Sequence, residues 1–266
     1  MTNSIIKTKH IGEGTEIGNF CVIGENVKIG KNCKIYDGAI IDGYTTIGDG
    51  TKVFSHAALG NEPQDLKYKG EKTELIIGKN NLIREFTMFS PGTAGGGGKT
   101  IIGDNNLFMA YVHIAHDCVI GDNCILANCA TLGGHITIGN DVNIGGMTGI
   151  HQFVSIGDGA MIAGASALGR DIPPFCMAQG NHAVIRGLNK YRLRKLFERD
   201  EIDAISRTYK LLFSGSAPIR ELAQDLLQKA EFESIKNICH FIINTKRGIP
   251  FVRGELDNGE LDNDKA

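Results

Sequence analysis

The apolar positions of the chain repeat every six residues. Aliphatic residues fall at Ile11, Ile17, Ile23, Ile29, Ile35, Ile41, Ile47, Val53 and Leu59 and resume at Ile77, Ile83 and Phe89. They then run without a break through Ile102, Phe108, Ile114, Ile120, Leu126, Leu132, Ile138, Ile144, Ile150, Ile156, Ile162 and Leu168. Sustained over so many copies, a period of six predicts a mainly β fold, a parallel β-helix. Each hexad makes a short strand and a turn, three hexads close an 18-residue coil, and the coils stack. Two residues before an inward aliphatic, strand alternation points the side chain inward again. Cys21, Cys33, Ala39, Cys118, Cys124, Ala130, Val154, Ala160 and Ser166 hold such places, small because the prism is narrow. The glycine that follows many of the aliphatic residues suits a turn needing positive φ or close backbone approach. Periodicity does not set the hand of the coil.

Two segments interrupt the period, 61–75 and 90–100, and loops inserted into a solenoid often carry function. After about residue 186 the spacing turns helical, with Leu193, Leu196, Ile202, Ile205, Tyr209 and Leu212, then Leu222, Leu226, Ile235, Ile238 and Phe241. The expected organisation is a hexapeptide-repeat domain over 1–186, a C-terminal α-helical domain over 187–252 and an acidic, mobile tail over 253–266.

Composition narrows the function. A hydrophobic content of 42% supports a continuous core, and a net charge of −2 with a pI near 6.4 argues against a general nucleic-acid or membrane-surface binder. The start "MTNSIIKTKH" has no apolar core of a signal peptide, and no stretch approaches 18 consecutive apolar residues, so a soluble cytoplasmic protein without a membrane span is expected. Seven cysteines without paired CxxC spacing read as reduced thiols. Four of them are accounted for as packing by the repeat, Cys118 among them.

The candidate chemistry lies in "YVHIAHDCVIGDNC". His116 follows Ile114 by two residues, His135 follows Leu132 by three and His151 follows Ile150 by one, which puts the three histidines on the same edge of successive coils. His113 faces outward beside them. Gly134 lies one coil beyond His116 at the same place in its hexad, and Gln152 one coil further on. A zinc site would need three or four such ligands at about 2.1 Å from one ion. A general-base site needs one histidine, an orienting acid and a donor for developing negative charge, which His116, Asp117 and the Gly134 N–H could supply.

The stretches "HIAHDC", "ILANCATLGGH", "IGGMTGIHQF", "AQGNHA" and "QDLKYKGE" resemble the UDP-N-acetylglucosamine O-acyltransferases of lipid A biosynthesis over nearly the whole chain. The resemblance implies a left-handed β-helix and a homotrimer with active sites between subunits. It also implies transfer of an (R)-3-hydroxyacyl group from acyl carrier protein, as thioester co-substrate, to the 3-position of the UDP-sugar, with no metal or further cofactor. His116 would be the general base, Asp117 its orienting acid and the Gly134 amide the oxyanion donor. His113, His135, His151 and Gln152 match substrate-binding positions, as do Asp65 and Lys67, the last two expected from the neighbouring subunit. Asn189, Arg194 and Lys195 match the end of the site that holds the nucleotide and its phosphates. Gly164 falls where the family limits acyl length, and a glycine there implies a long chain of about C12 to C16, unless it serves only a turn. Two departures stand out: "TMFSPGT" puts Ser90 and Pro91 in place of a histidine and an arginine close to the sugar, and Leu196 replaces a second arginine. The first opens an alternative acceptor, the 3-amine of a UDP-diamino sugar. A coenzyme A-dependent hexapeptide acetyltransferase and a zinc hydratase are the rival enzyme readings.

Overall fold

The computed structural model describes residues 3–251, so the acidic segment 253–266 lies outside the described residues. Short strands rotate through three sheets of nine, eight and ten strands and, up to Ala167–Leu168, each pairs in parallel with the one three positions along the chain. Ile114 pairs with Leu132 and Leu132 with Ile150, one coil per eighteen residues. The architecture is a left-handed parallel β-helix followed by four helices. Its axis is filled by the aliphatic column, with the small residues Cys21, Cys33, Ala39, Cys118, Cys124, Ala130, Val154, Ala160 and Ser166 all buried between its layers. Phe89 and Phe108, on consecutive coils, meet edge to face at 5.0 Å.

The inserted loops leave the stack undisturbed. Leu59 pairs with Phe89, thirty residues on, and Phe89 with Ile114, twenty-five on. Both insertions leave the prism at one sheet and return to the correct rung, so their residues are held against the outside of a rigid wall.

The glycine one residue after an inward aliphatic acts mostly through close approach, whereas Gly14, Gly50 and Gly159, two residues further on, take left-handed φ values. A Cβ on Gly121 would lie 2.5 Å from Asn140 Oδ1 and 2.8 Å from the carbonyl carbon of Gly139. The left-handed positions fall two residues later, where Asn105, Asn123 and Asp141 have φ near 60°. Asn and Asp tolerate that region better than other side chains. At these corners a carboxylate or amide oxygen accepts a backbone N–H from the coil before, as Asp122 Oδ1 does from Asp104 at 2.6 Å and Asp158 Oδ1 from Asn140 at 2.6 Å. Backbone donors that no strand uses are satisfied in this way.

The last coil turns back on itself: Cys176–Gln179 adds in parallel to Met161–Ile162, and Val184–Leu188 returns antiparallel. The helical part therefore begins at Lys190, a few residues later than the apolar spacing suggests. Its helices are α1 (Lys190–Leu196), α2 (Arg199–Phe213), α3 (Ile219–Gln228) and α4 (Glu233–Asn244). Pro218 caps α3, where a missing N–H costs nothing. Two polar ties hold the helices to the prism. Tyr209 of α2 donates its hydroxyl to the Pro174 carbonyl at 2.6 Å, and Asp171 accepts from Ser155 N–H, Thr245 Oγ1–H and the amides of Lys246 and Arg247. No helix among the described residues is long and apolar enough to cross a membrane.

Candidate active site

His116 and Asp117 occupy the turn after the strand His113–Ile114, and Asp117 takes the left-handed position, φ 60°. That backbone turns the Asp117 side chain back beside its neighbour, and His116 Nδ1 lies 2.7 Å from Asp117 Oδ2. Nδ1–H donating to a carboxylate fixes the tautomer and leaves the lone pair on Nε2. Nε2 makes no hydrogen bond among the described residues, and the Asp65 carboxylate stands 3.9 Å from it. The other side of Asp117 is fully engaged. Oδ1 accepts Thr93 N–H at 2.8 Å, Oδ2 accepts Thr93 Oγ1–H at 2.6 Å, and the Asp117 amide donates to Thr100 Oγ1 at 2.8 Å. The carboxylate is buried while the imidazole keeps 15% of its exposure, so only the histidine can meet a substrate.

Gly134 lies directly over the imidazole. A Cβ there would be 2.6 Å from His116 Cε1 and 2.8 Å from Nε2, a distance only glycine permits. Its N–H donates to nothing among the described residues, whereas the flanking amides of Gly133 and His135 bond to Ile150 and His116 carbonyls. An unspent backbone donor beside a histidine with an open lone pair is the arrangement an oxyanion-forming reaction needs.

The histidine column is real but turns at the third rung. Eighteen residues on from Asp117 come His135 and Phe153, and the rings stack accordingly: His116 meets His135 edge-on at 5.0 Å and His135 lies parallel to Phe153 at 4.4 Å. His151 sits two positions earlier than Phe153 in its turn. Its Nδ1–H reaches the Gln152 carbonyl at 3.1 Å, and it faces instead an open trough of about 670 Å3. His113, Gly134, His151, Gln152, Asn181 and His182 line that trough. Burial, and then the neighbouring His116, hold the His113 pKa below the ordinary histidine value, and its buried Nδ1 finds no hydrogen-bond partner among the described residues.

Asn181 and His182 carry no signal in the hexad period, which ends at Leu168. They reach the trough because a bridge from Ala167 to Asn181 extends the coil. Asp65, expected from a neighbouring subunit, approaches His116 of its own chain; the first loop folds back over the same wall, with Lys67 N–H donating to Asp65 Oδ1 at 3.0 Å. Ser90 is buried, its amide donating to the Ile114 carbonyl at 3.0 Å.

Asn189 has a structural place of its own. It is buried as the N-cap of α1: Oδ1 accepts Arg192 N–H at 3.1 Å and Nδ2 donates to the Gly159 carbonyl at 2.9 Å, which fixes the amide at the start of the helix that carries Arg194 and Lys195. Arg194 lines a separate cavity of about 580 Å3 between α1 and α2, and Lys195 Nζ lies 4.5 Å over the Tyr191 ring. Neither borders the trough within one protomer. Gly164 is exposed with no left-handed φ, and a Cβ would meet the Gly146 carbonyl oxygen at 3.2 Å. Backbone φ does not require glycine there, while the close approach of the Gly146 carbonyl leaves little room for a Cβ.

Donor atoms of His116, Asp117 and His135 lie within 4.8 Å of one another, a spacing a metal could use. The hydrogen bonds that Asp117 makes to Thr93 and His116 are instead those of an acid orienting a histidine. Cys118 takes no part: burial pushes its thiol up to about 12.

The family profile described as UDP N-acetylglucosamine O-acyltransferase, domain 2, matches residues 171–250, and that for the bacterial transferase hexapeptide (six repeats) matches 8–43 and 99–134. An acyl-(acyl-carrier-protein)-UDP-N-acetylglucosamine O-acyltransferase of Nautilia profundicola is 57% identical over 209 residues, 78% of this chain and 81% of the relative. One from Helicobacter pylori 26695 is 57% identical over 221 residues, 83% and 82% of the two chains. A crystal structure of a UDP-N-acetylglucosamine acyltransferase superposes with a TM-score of 0.93 at 54% identity, covering 94% of this chain and 98% of the other. The enzyme of that name from Campylobacter jejuni gives 0.91 at 49%, covering 95% and 99%. With identity of this level over four-fifths of its length, the chain belongs to the UDP-N-acetylglucosamine O-acyltransferase family.

Proposed function

We propose that the protein transfers an (R)-3-hydroxyacyl group from acyl carrier protein to the 3-hydroxyl of UDP-N-acetylglucosamine, the first step of lipid A biosynthesis, with His116 as general base. The observation that carries the reading is the pairing of an open His116 Nε2 with the unspent Gly134 N–H over the same ring. Nε2 takes the proton of the sugar 3-hydroxyl as its oxygen attacks the thioester carbonyl. The oxyanion accepts from Gly134 N–H. Collapse breaks the C–S bond, the new ester remains on the sugar, and the imidazolium returns its proton to the departing thiolate. Asp117 keeps Nδ1 protonated and the ring in place throughout.

The trough beside His116 receives substrate, with His113, His151 and Gln152 as its polar edge, and Asp65 and Lys67 of the first loop bind it from the His116 side. His135 backs the base, and Arg194 and Lys195 serve the phosphates from an adjoining subunit. A homotrimer with sites between subunits is supported by the apolar residues that one protomer leaves open, among them Leu66 on the first loop and Phe20, Tyr111 and Met147 along one corner. Acyl carrier protein and the UDP-sugar as co-substrates put the reaction in the cytoplasm.

Ser90 and Pro91, where the family carries histidine and arginine, favour one second reading, an amine acceptor that depends less on the base. A mass-spectrometric assay with (R)-3-hydroxyacyl carrier protein and either UDP-N-acetylglucosamine or its 3-amino analogue separates the two. An ester formed efficiently on the first supports the proposal. An amide formed much faster on the analogue replaces it with the amine reading.

A further inference from the structure

The glycine run "GTAGGGGKT" of the second inserted loop has no role in the reaction steps described so far, yet it is the most unusual sequence in the chain. We infer that Thr93, on this loop, is a positioning residue: it sets the Asp117 carboxylate so that Asp117 can set His116. The inference rests on His116 being the base.

Three hydrogen bonds define the carboxylate plane, and Thr93 makes two of them: its amide to Oδ1 at 2.8 Å and its hydroxyl to Oδ2 at 2.6 Å, opposite the 2.7 Å bond from His116 Nδ1 to Oδ2. Without the Thr93 hydroxyl, Oδ2 keeps only its bond to the ring it orients, and the Thr93 amide on Oδ1 is the one hydrogen bond left to hold the group from the far side. The loop is itself tied down. Gly96 and Gly98 amides donate to the Thr93 carbonyl at 3.0 and 2.8 Å, and Glu71 of the first loop accepts Ala94 N–H at 3.2 Å. Gly96 passes directly over the acid, where a Cβ would lie 2.0 Å from the Asp117 carboxyl carbon. Gly97 and Gly98 take left-handed φ values of 99° and 80° to bring the chain back to the strand at Lys99. The glycines thus let the loop lie flat on the carboxylate, which has no exposed surface left. Water is kept from a group whose direction sets the direction of the base.

The test is a double-mutant cycle read in steady-state transfer. Thr93→Val keeps the shape and removes the hydroxyl; kcat falls about tenfold to a hundredfold, as for loss of a hydrogen bond to a charged group, while KM for both substrates stays within about twofold. Thr93→Ser restores most of kcat. In an Asp117→Asn background, where His116 Nδ1–H has lost its proper acceptor, Thr93→Val costs nothing further. Should Thr93→Val not fold, Thr93→Ala, which removes the same hydroxyl with a smaller side chain, shows the same kcat-only loss. Equal losses in the wild-type and Asp117→Asn backgrounds, or a change confined to KM, overturn the inference. A fully active Thr93→Val beside an inactive His116→Ala overturns this inference alone, whereas an active His116→Ala removes the reading beneath it.

Discussion

Replacing Gly134 with alanine is a one-methyl test of the site. The backbone at Gly134 is not left-handed, so alanine fits its φ, and the three atoms nearest an added Cβ all belong to the His116 ring, at 2.6, 2.8 and 3.1 Å. Ordinary contact begins near 3.4 Å, so the ring must move by about 0.8 Å. It cannot do so freely, because Nδ1 is held at 2.7 Å by an Asp117 carboxylate that Thr93 holds in turn. The substitution keeps the backbone N–H, so the oxyanion donor survives while the base is displaced. Misplacement of a reacting group by about 1 Å can cost ~10²-fold, and kcat should fall by about that factor with the melting temperature nearly unchanged. Steady-state transfer kinetics with a thermal melt on the same preparation decides it. A Gly134→Ala enzyme within threefold of wild type would refute the reasoning, since the ring would then have tolerated a displacement that the geometry does not allow.

Two further outcomes follow from single side chains. Because burial and His116 depress the His113 pKa, the unfolded chain binds the proton more readily than the folded one. Its contribution to stability is complete above the unfolded value of about 6.5 and is lost as pH falls through the folded value. Denaturation from pH 7.5 downward should show a decline that His113→Gln lessens; parallel curves for the two proteins would contradict this. At Gly164, a methionine would fill the exposed corner that glycine leaves open and shift a ladder of acyl donors toward shorter chains. About 0.8 kcal/mol is lost per methylene left unburied; a wild-type optimum at C10 or below would remove the long-groove reading of this glycine.

The prism was legible because its period is physical. Once Ile114, Leu132 and Ile150 are on one column, every neighbour follows by counting, and Gly134 falls beside His116 on that count alone. Counting also marks Cys118 as packing, and its burial agrees. What counting cannot reach are the segments without a period. The side of the prism on which Asp65 lands depends on how a loop folds back, and the clamp of Thr93 on Asp117 joins residues 24 apart across an insertion. The cap that Asn189 makes on α1 is equally out of reach of counting, because it depends on where the chain leaves the last coil. His151 was placed on the correct edge, yet a shift of two positions within a tight turn sends its ring to the trough and leaves Phe153 to stack on His135.

The central claim is that one imidazole does the proton transfer. The most direct measurement is single-turnover formation of the acylated sugar by His116→Ala against wild type, at saturating acyl carrier protein and sugar nucleotide, with oligomeric state checked on the same samples. Positioned general bases contribute ~10²- to 10⁴-fold, and the account predicts a loss in that range with assembly intact. A folded His116→Ala protein that retains a tenth or more of the wild-type rate would contradict it.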